Sequence, residues 1–63
     1  KNYNQLLDKT GVVITSLRPV GMCSFDGERI ECVAESGFIE KDKNIKVIEV
    51  QGFRVTVREI EQG

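Results

Sequence analysis

Residues 19–34 constrain the fold of this chain more than any other stretch, because an Asp-Gly pair stands between two runs rich in apolar residues. Asp-Gly favours a two-residue hairpin turn, in which both central residues adopt positive φ. The sequence therefore predicts two antiparallel strands, Val20–Phe25 and Glu28–Ala34, joined at Asp26 and Gly27. The rest of the fold has to accommodate this hairpin.

The register of the predicted hairpin sorts its side chains onto two faces, since opposed residues of an antiparallel pair share a face. The face expected to line the core carries Cys23, Phe25, Ile30, Cys32 and Ala34. The opposite face is half polar, with Ser24, Arg29 and Glu31, and half apolar, with Val20, Met22 and Val33.

Length and charge limit the classes of protein that fit. A chain of 63 residues forms one domain with a small core, and a net charge of -1 provides no field that attracts a polyanion. No apolar run approaches the length of a membrane helix, roughly 18 to 20 residues. Because the chain starts with Lys rather than Met, we expect a piece of a longer protein or a processed one, and any targeting or membrane segments would then lie outside it.

The two cysteines are predicted to be reduced and buried. In the register above, Cys23 and Cys32 are diagonal neighbours with Cα atoms roughly 7 to 8 Å apart, which is longer than disulfide geometry usually allows. A cross-strand disulfide is the alternative, since a bulge at the turn would change this separation. The chain has no His and only two Cys, so it predicts neither a metal site nor a cofactor.

The segments outside this hairpin predict three further strands. Residues 10–17 are rich in β-branched side chains, and residues 45–50 and 53–57 flank a second turn at Gln51-Gly52. That turn pairs Val50 with Phe53 and Glu49 with Arg54 across the strands. The inner face of this second hairpin is then expected to carry Ile48, Val50, Phe53, Val55 and Val57.

Five short strands predict an all-β fold, a small closed OB-fold-like barrel without a long helix, because open sheets this short would expose long edges. An SH3-like barrel is the alternative. We expect the barrel domain to span residues 10–61, with 1–9 as a linker or N-terminal extension and 62–63 as a tail. The alternative for residues 1–9 is a short turn that docks Leu6 or Leu7 under the domain.

Five segments in order carry a family resemblance: residues 9–13, 17–21, 25–29, 35–41 and 47–52. Together they resemble the C-terminal soluble domain of the NfeD family. The resemblance implies an OB-fold barrel that follows membrane-spanning helices, in proteins that act with stomatin- and flotillin-like proteins. Longer members also carry a ClpP-class serine-protease domain. Here Cys23 and Cys32 replace other apolar residues, and Asp42 stands where Gly is common, so the loop need not adopt a Gly-specific turn.

Catalysis within this chain is not expected. A nucleophile needs a base and an orienting group within hydrogen-bond reach, and Ser16, Ser24 and Ser36 have no His anywhere in the chain. Nucleic-acid binding is disfavoured as well, since Arg29 is the only basic residue among the acidic residues of the first hairpin and its end, Asp26, Glu28, Glu31 and Glu35. A small single-stranded nucleic-acid-binding OB module is kept as the alternative function.

The sequence thus predicts a non-catalytic protein-interaction domain of a membrane-anchored protein, expected on the cytoplasmic side. By the family resemblance, its partner is a stomatin- or flotillin-like protein, or a second copy of itself, in membrane organisation or membrane-protein quality control. The short loop at residues 38–44 either plugs the barrel end with Phe38 and Ile39, the preferred interpretation, or presents them to a partner. Candidate contact residues are Val20, Met22, Val33, Phe38 and Ile39. For the first three, the alternative is a second packed layer.

Overall fold

The computed structural model describes residues 3–61. Lys1 and Asn2 of the predicted extension, and the predicted tail at 62–63, lie outside the described residues. A 3₁₀ turn at Asn4–Leu6 precedes five strands: β1 (Thr10–Val13), β2 (Val20–Phe25), β3 (Glu28–Ala34), β4 (Asn44–Gln51) and β5 (Arg54–Glu59). Within residues 3–61, no helix has the length and apolar character needed to cross a membrane.

The strands close into a barrel in the order β1-β2-β3-β5-β4, with β4 pairing back onto β1. The β3–β5 contact is parallel and the other four contacts are antiparallel. The prediction of an all-β, five-stranded closed barrel is confirmed. The strand order is that of an OB-type barrel, which decides between this fold and the SH3-like alternative.

The first hairpin has the predicted register from end to end, from Phe25 opposite Glu28 to Val20 opposite Val33. The turn residues Asp26 and Gly27 have φ of 53° and 87°, so both are positive, as the sequence required. All five residues predicted for the inner face are buried: Cys23, Phe25, Ile30, Cys32 and Ala34. The two thiols are free, in line with the prediction of reduced cysteines.

The second hairpin turns one residue later than predicted. Gln51 pairs with Arg54, so the central turn residues are Gly52 and Phe53. Gly52 has φ of 59° and Phe53 is not among the residues with positive φ, which is the pattern of a type II′ turn with Gly in the first central position. The prediction that Phe53 lines the core is therefore wrong, because this side chain projects from the turn and is 76% exposed.

A register shift in β4 changes which of its residues face the core. Glu49 pairs with Thr56 but Val47 pairs with Val57, so the shift falls at Ile48. The bulge moves one extra residue into β4, and Val47 faces the interior in place of Ile48. Of the predicted inner residues outside the turn, Val55 and Val57 are fully buried, whereas Ile48 and Val50 are half-buried.

The first strand is shorter than residues 10–17, because the chain leaves the sheet after Val13. Before that strand, Leu6 is buried in the core while Leu7 stays exposed. The Asp8 N–H donates to the Val47 carbonyl and the Val47 N–H donates to the Lys9 carbonyl, at 2.9 Å each. Residues 3–9 therefore pack on the barrel through Leu6, as in the docked alternative. The domain limits drawn from the sequence stay a prediction.

The loop before β4 contains a left-handed residue. Asp42 has φ of 72°, and its N–H donates to the Val13 carbonyl at 2.9 Å. Asp and Asn tolerate this conformation better than other residues with a side chain. Asp42 therefore adopts the left-handed conformation that a Gly would also take, and the turn does not require Gly at this position.

Candidate functional site

A β-bridge between Leu17 and Ile39 closes one end of the barrel and places Phe38 and Ile39 in opposite environments. Leu17 and Ile39 exchange backbone hydrogen bonds of 2.8 and 3.0 Å, and both side chains are buried. Consecutive residues in extended backbone point in opposite directions, so Phe38 points outward and is 51% exposed. Ile39 therefore fills the end of the barrel with its side chain covered, whereas the Phe38 side chain is exposed on the surface.

A basic side chain accompanies the exposed phenylalanine. The guanidinium carbon of Arg18 lies 5.7 Å from the centroid of the Phe38 ring, within the range of a cation–π contact. The Ser36 hydroxyl donates to the Phe38 carbonyl at 3.0 Å and helps to fix the loop backbone. A cation–π contact at an exposed site contributes about 0.5 to 1 kcal/mol, which is enough to bias the orientation of the Phe38 ring. The surface here is apolar with a positive edge.

The outer face of the first hairpin contributes the other candidate residues. Val20 is 48% exposed and Met22 is 38% exposed, so a second packed layer does not cover them in this chain. Val33 lies directly opposite Val20 on β3 and is half-buried. An isolated exposed Val or Met is ordinary on a protein surface. Adjacent apolar side chains at the same end of a hairpin are more informative.

The chain path brings these two sets of side chains to one end of the barrel. The Ala34 N–H donates to the Pro19 carbonyl at 2.7 Å, which ties the end of β3 to the segment between Arg18 and Val20. We call the resulting region the hairpin-end surface, made of Arg18, Val20, Met22, Val33 and Phe38. It gathers four of the five candidates from the sequence and adds Arg18, which no sequence signal singled out.

An exposed ion pair stands at the end of β3. The guanidinium of Arg58 donates to both carboxylate oxygens of Glu35, at 3.0 and 3.2 Å. These hydrogen bonds from Arg58 hold the pKa of Glu35 below its usual value, and the same contact raises the pKa of Arg58. The negative charge of Glu35 is thus neutralised locally, and an incoming partner meets a paired carboxylate.

The described residues do not form a reactive constellation. The hydrogen bond with Cys23 and the burial of the side chain raise the pKa of Cys32 far above its usual range, so this thiol is not a nucleophile at neutral pH. The Ser16 hydroxyl oxygen accepts a hydrogen bond from the Lys41 N–H, at 3.2 Å. Within residues 3–61, no three His, Cys, Asp or Glu side chains come together in a way that could hold a metal ion.

The clearest surface groove follows β1 and has a volume of about 490 Å³. Its lining is mixed polar and apolar, with Asp26 and Glu61 as its ionisable side chains: Thr10, Gly11, Val12, Ser24, Asp26, Asn44, Ile60 and Glu61. No Lys or Arg stands beside the two carboxylates among these lining residues.

A second exposed phenylalanine lies on the β4–β5 turn. The ring of Phe53 makes an edge-to-face contact with Tyr3, with centroids 5.9 Å apart. Sequence reasoning missed this contact because it assigned Phe53 to the core and Tyr3 to a linker. The aromatic pair joins the N-terminal turn to the β4–β5 turn, and neither residue belongs to the hairpin-end surface. Phe53 therefore provides a matched exposed aromatic for comparison with Phe38.

Comparisons with known proteins agree on one family. Residues 3–59 match the family model described as the NfeD-like C-terminal, partner-binding domain. The chain is 51% identical over 55 residues to membrane protein NfeD1b of Bacillus subtilis (strain 168). The match covers 87% of this chain and 13% of that relative, so the chain spans only a small part of the relative's length.

A solved structure shares the barrel. The C-terminal domain of stomatin operon partner protein 1510-C from Pyrococcus horikoshii superposes with a TM-score of 0.84 at 25% sequence identity. The match covers 92% of this chain and 92% of that domain. The barrel fold described here is therefore shared with that domain over nearly the whole of both chains.

Proposed function

Because the chain belongs to the NfeD family and matches its C-terminal, partner-binding domain, we propose that it docks a partner protein through the hairpin-end surface. The matched domain is a partner-binding one and not a catalytic one. The observation that carries the choice of surface is the pair of adjacent loop residues, in which buried Ile39 anchors the loop and exposed Phe38 is left over for contact.

The partner in this proposal is a stomatin- or flotillin-like membrane protein. The support is the name of the structurally similar protein, a stomatin operon partner protein, together with the shared barrel. The Bacillus relative is named a membrane protein, which supports a membrane-anchored parent. We place the domain on the cytoplasmic side, with a role in membrane organisation or membrane-protein quality control.

The composition of the hairpin-end surface fits a protein partner. Aromatic residues, Met and Arg are enriched in the cores of protein–protein interfaces, and this surface offers Phe38, Met22 and Arg18. The Arg18 guanidinium over the Phe38 ring would meet a carboxylate at the edge of an apolar partner surface. Val20 and Val33 extend the apolar area along the hairpin.

The proposal is tested by titrating a purified stomatin-like protein with the 63-residue chain and with two matched variants. Phe38→Glu places a charge on the hairpin-end surface, and Phe53→Glu places the same charge at a more exposed ring on the β4–β5 turn. Neither side chain is buried, so circular dichroism should show that both variants fold. We expect Phe38→Glu to weaken binding at least tenfold and Phe53→Glu to leave it within about twofold, as a hot-spot contact implies.

Three other results would count against the proposal. If both variants bind the stomatin-like protein equally well, the hairpin-end surface does not contact it. If only Phe53→Glu loses binding, the contact lies at the β4–β5 turn. Submicromolar binding of short single-stranded oligonucleotides, with no binding of the stomatin-like protein, would favour the alternative OB-fold function.

A further inference from the structure

The edge of β3 is covered by β5 over only part of its length. Their parallel pairing is limited to Val33 with Thr56 and Ala34 with Val57. The Glu35 N–H continues this contact by donating to the Val57 carbonyl at 3.0 Å. Before these residues, positions 29–32 of β3 pair with β2 on one side and have no β5 strand partner on the other within the described residues.

Backbone alternation identifies which groups point to this uncovered side. The Ala34 N–H bonds toward the β2 side, at the Pro19 carbonyl, and the Glu35 N–H bonds toward β5. Odd-numbered residues of β3 therefore direct their N–H and C=O groups away from β2. For Arg29 and Glu31 these groups have no strand partner within residues 3–61, and they form a free edge that can accept another strand.

The side chains on this free edge carry opposite charges two residues apart. Arg29 and Glu31 are both exposed on the outer face of β3. If two copies of β3 pair antiparallel about Ile30, Arg29 of each copy faces Glu31 of the other. Because both residues point their backbone groups outward, these are hydrogen-bonded pairs, and the contact makes four backbone hydrogen bonds and two cross-strand ion pairs.

We propose that the free edge of β3 is a self-association site at which two copies of this domain pair their β3 strands antiparallel about Ile30. Charge selects this register, because a shift by two residues sets Arg29 against Arg29 or Glu31 against Glu31 of the second copy. The contact is two-fold and self-complementary, so it stops at a dimer. The inference rests on the β3 edge and does not depend on the hairpin-end surface.

The contact is small compared with stable interfaces, which bury roughly 1,200 to 2,000 Å². Free domains therefore pair only at high concentration, whereas copies held together on a membrane or on an oligomeric partner pair through their raised effective concentration. Salt weakens the pairing because both ion pairs are exposed. Self-association should therefore be measured at high protein concentration and low salt.

The test is sedimentation equilibrium of the 63-residue chain over a concentration series up to a few millimolar at low salt. We expect the weight-average mass to rise from the monomer value of 7.1 kDa toward twice that value. Arg29→Glu and Glu31→Arg should each weaken self-association at least tenfold, because each variant sets like charges against each other. An equimolar mixture of the two variants should associate as well as the unaltered chain, since the opposite charges then meet again.

Two controls separate the edge from general charge effects. Lys43→Glu changes the net charge as much as Arg29→Glu but lies on the loop before β4, and it should leave the association within about twofold. Amide hydrogen exchange at Arg29 and Glu31 should slow as concentration rises. A monomeric mass at every concentration, or single variants that associate normally, would overturn the proposal, and so would a mixture that fails to restore association.

Discussion

The sharpest prediction concerns Phe38 and Ile39, adjacent apolar residues with opposite environments. Ile39 is 1% exposed and fills the end of the barrel beside Leu17, whereas half of the Phe38 side chain is exposed. We expect truncation of the smaller residue to cost more stability than truncation of the larger one. The reason is that only Ile39 leaves a cavity when it is shortened.

The magnitudes follow from burial. Ile39→Val removes one buried methyl group and should cost about 0.5 to 1.5 kcal/mol, and Ile39→Ala about 2 to 5 kcal/mol. A domain of 63 residues has a free energy of unfolding of about 3 to 9 kcal/mol. Ile39→Ala therefore brings the chain close to unfolding at room temperature. Phe38→Ala loses its exposed contacts with Arg18 and part of its burial, for about 0.5 to 1 kcal/mol.

Urea denaturation followed by far-ultraviolet circular dichroism measures these differences, with the slope m as a check that the unfolding transition is unchanged. Thermal melts should fall by about 4 to 8 °C for each kcal/mol in a chain of this size. If Phe38→Ala costs as much as Ile39→Ala, the division into an anchoring and a presented residue is refuted. The hairpin-end surface would then lose its main support.

Four other outcomes can be measured on the same chain. Asp42→Gly should leave the denaturation midpoint unchanged or raise it, whereas Asp42→Val should cost about 1 to 2 kcal/mol because it forces a β-branched residue to positive φ. Gly11→Ala should lower the free energy of unfolding by about 1 to 3 kcal/mol, since the new Cβ would clash with the Ser24 carbonyl oxygen and lie 2.7 Å from the Phe25 ring. The pKa of Glu35 is lowered in the folded state by its hydrogen bonds to Arg58, so its stabilising effect is present above its ordinary pKa and is lost as pH falls through the folded pKa. Carboxyl NMR titration should locate that step, and Glu35→Gln should flatten the acid side of the stability profile. Short single-stranded oligonucleotides at low salt should show no submicromolar binding in a fluorescence titration, given the acidic first hairpin.

The two hairpins differ in how far their turns can be predicted from sequence. Asp26-Gly27 admits one assignment, because both residues tolerate positive φ, and every pair of that hairpin follows from it. Around Gly52, the glycine can take either the second central position or the first, as in a type II′ turn. In the structure Gly52 takes the first central position. The apolar and charge pattern alone did not exclude the other register, in which Gly52 takes the second central position.

The bulge at Ile48 has no sequence signal of its own. Residues 45–50 show an apolar pattern that fits several registers, and the choice between them is made by packing against Val57 and the rest of the core. Tertiary packing also decides the length of β1, since the chain after Val13 leaves the sheet so that Leu17 can reach Ile39.

The hairpin-end surface was predictable in part. Val20, Met22 and Val33 followed from the register of the first hairpin, since the alternation of side chains left them on the outer face. For the loop, the sequence analysis assigned Phe38 and Ile39 together, either to the barrel end or to the surface. Because adjacent side chains of an extended backbone point in opposite directions, Ile39 is buried and Phe38 is exposed. The position of Arg18 over Phe38 depends on loop geometry and could not be read from the sequence.

The contact between Tyr3 and Phe53 has a practical consequence. Tyr3 is the only tyrosine in a chain without tryptophan, so its emission reports a single place in the molecule, the junction of the N-terminal turn with the β4–β5 turn. If the N-terminal turn detaches from the barrel, the Tyr3 phenol leaves the Phe53 ring and enters water. Ultraviolet emission and circular dichroism, recorded together during a melt, can therefore time the release of the N-terminal turn against the loss of the strands.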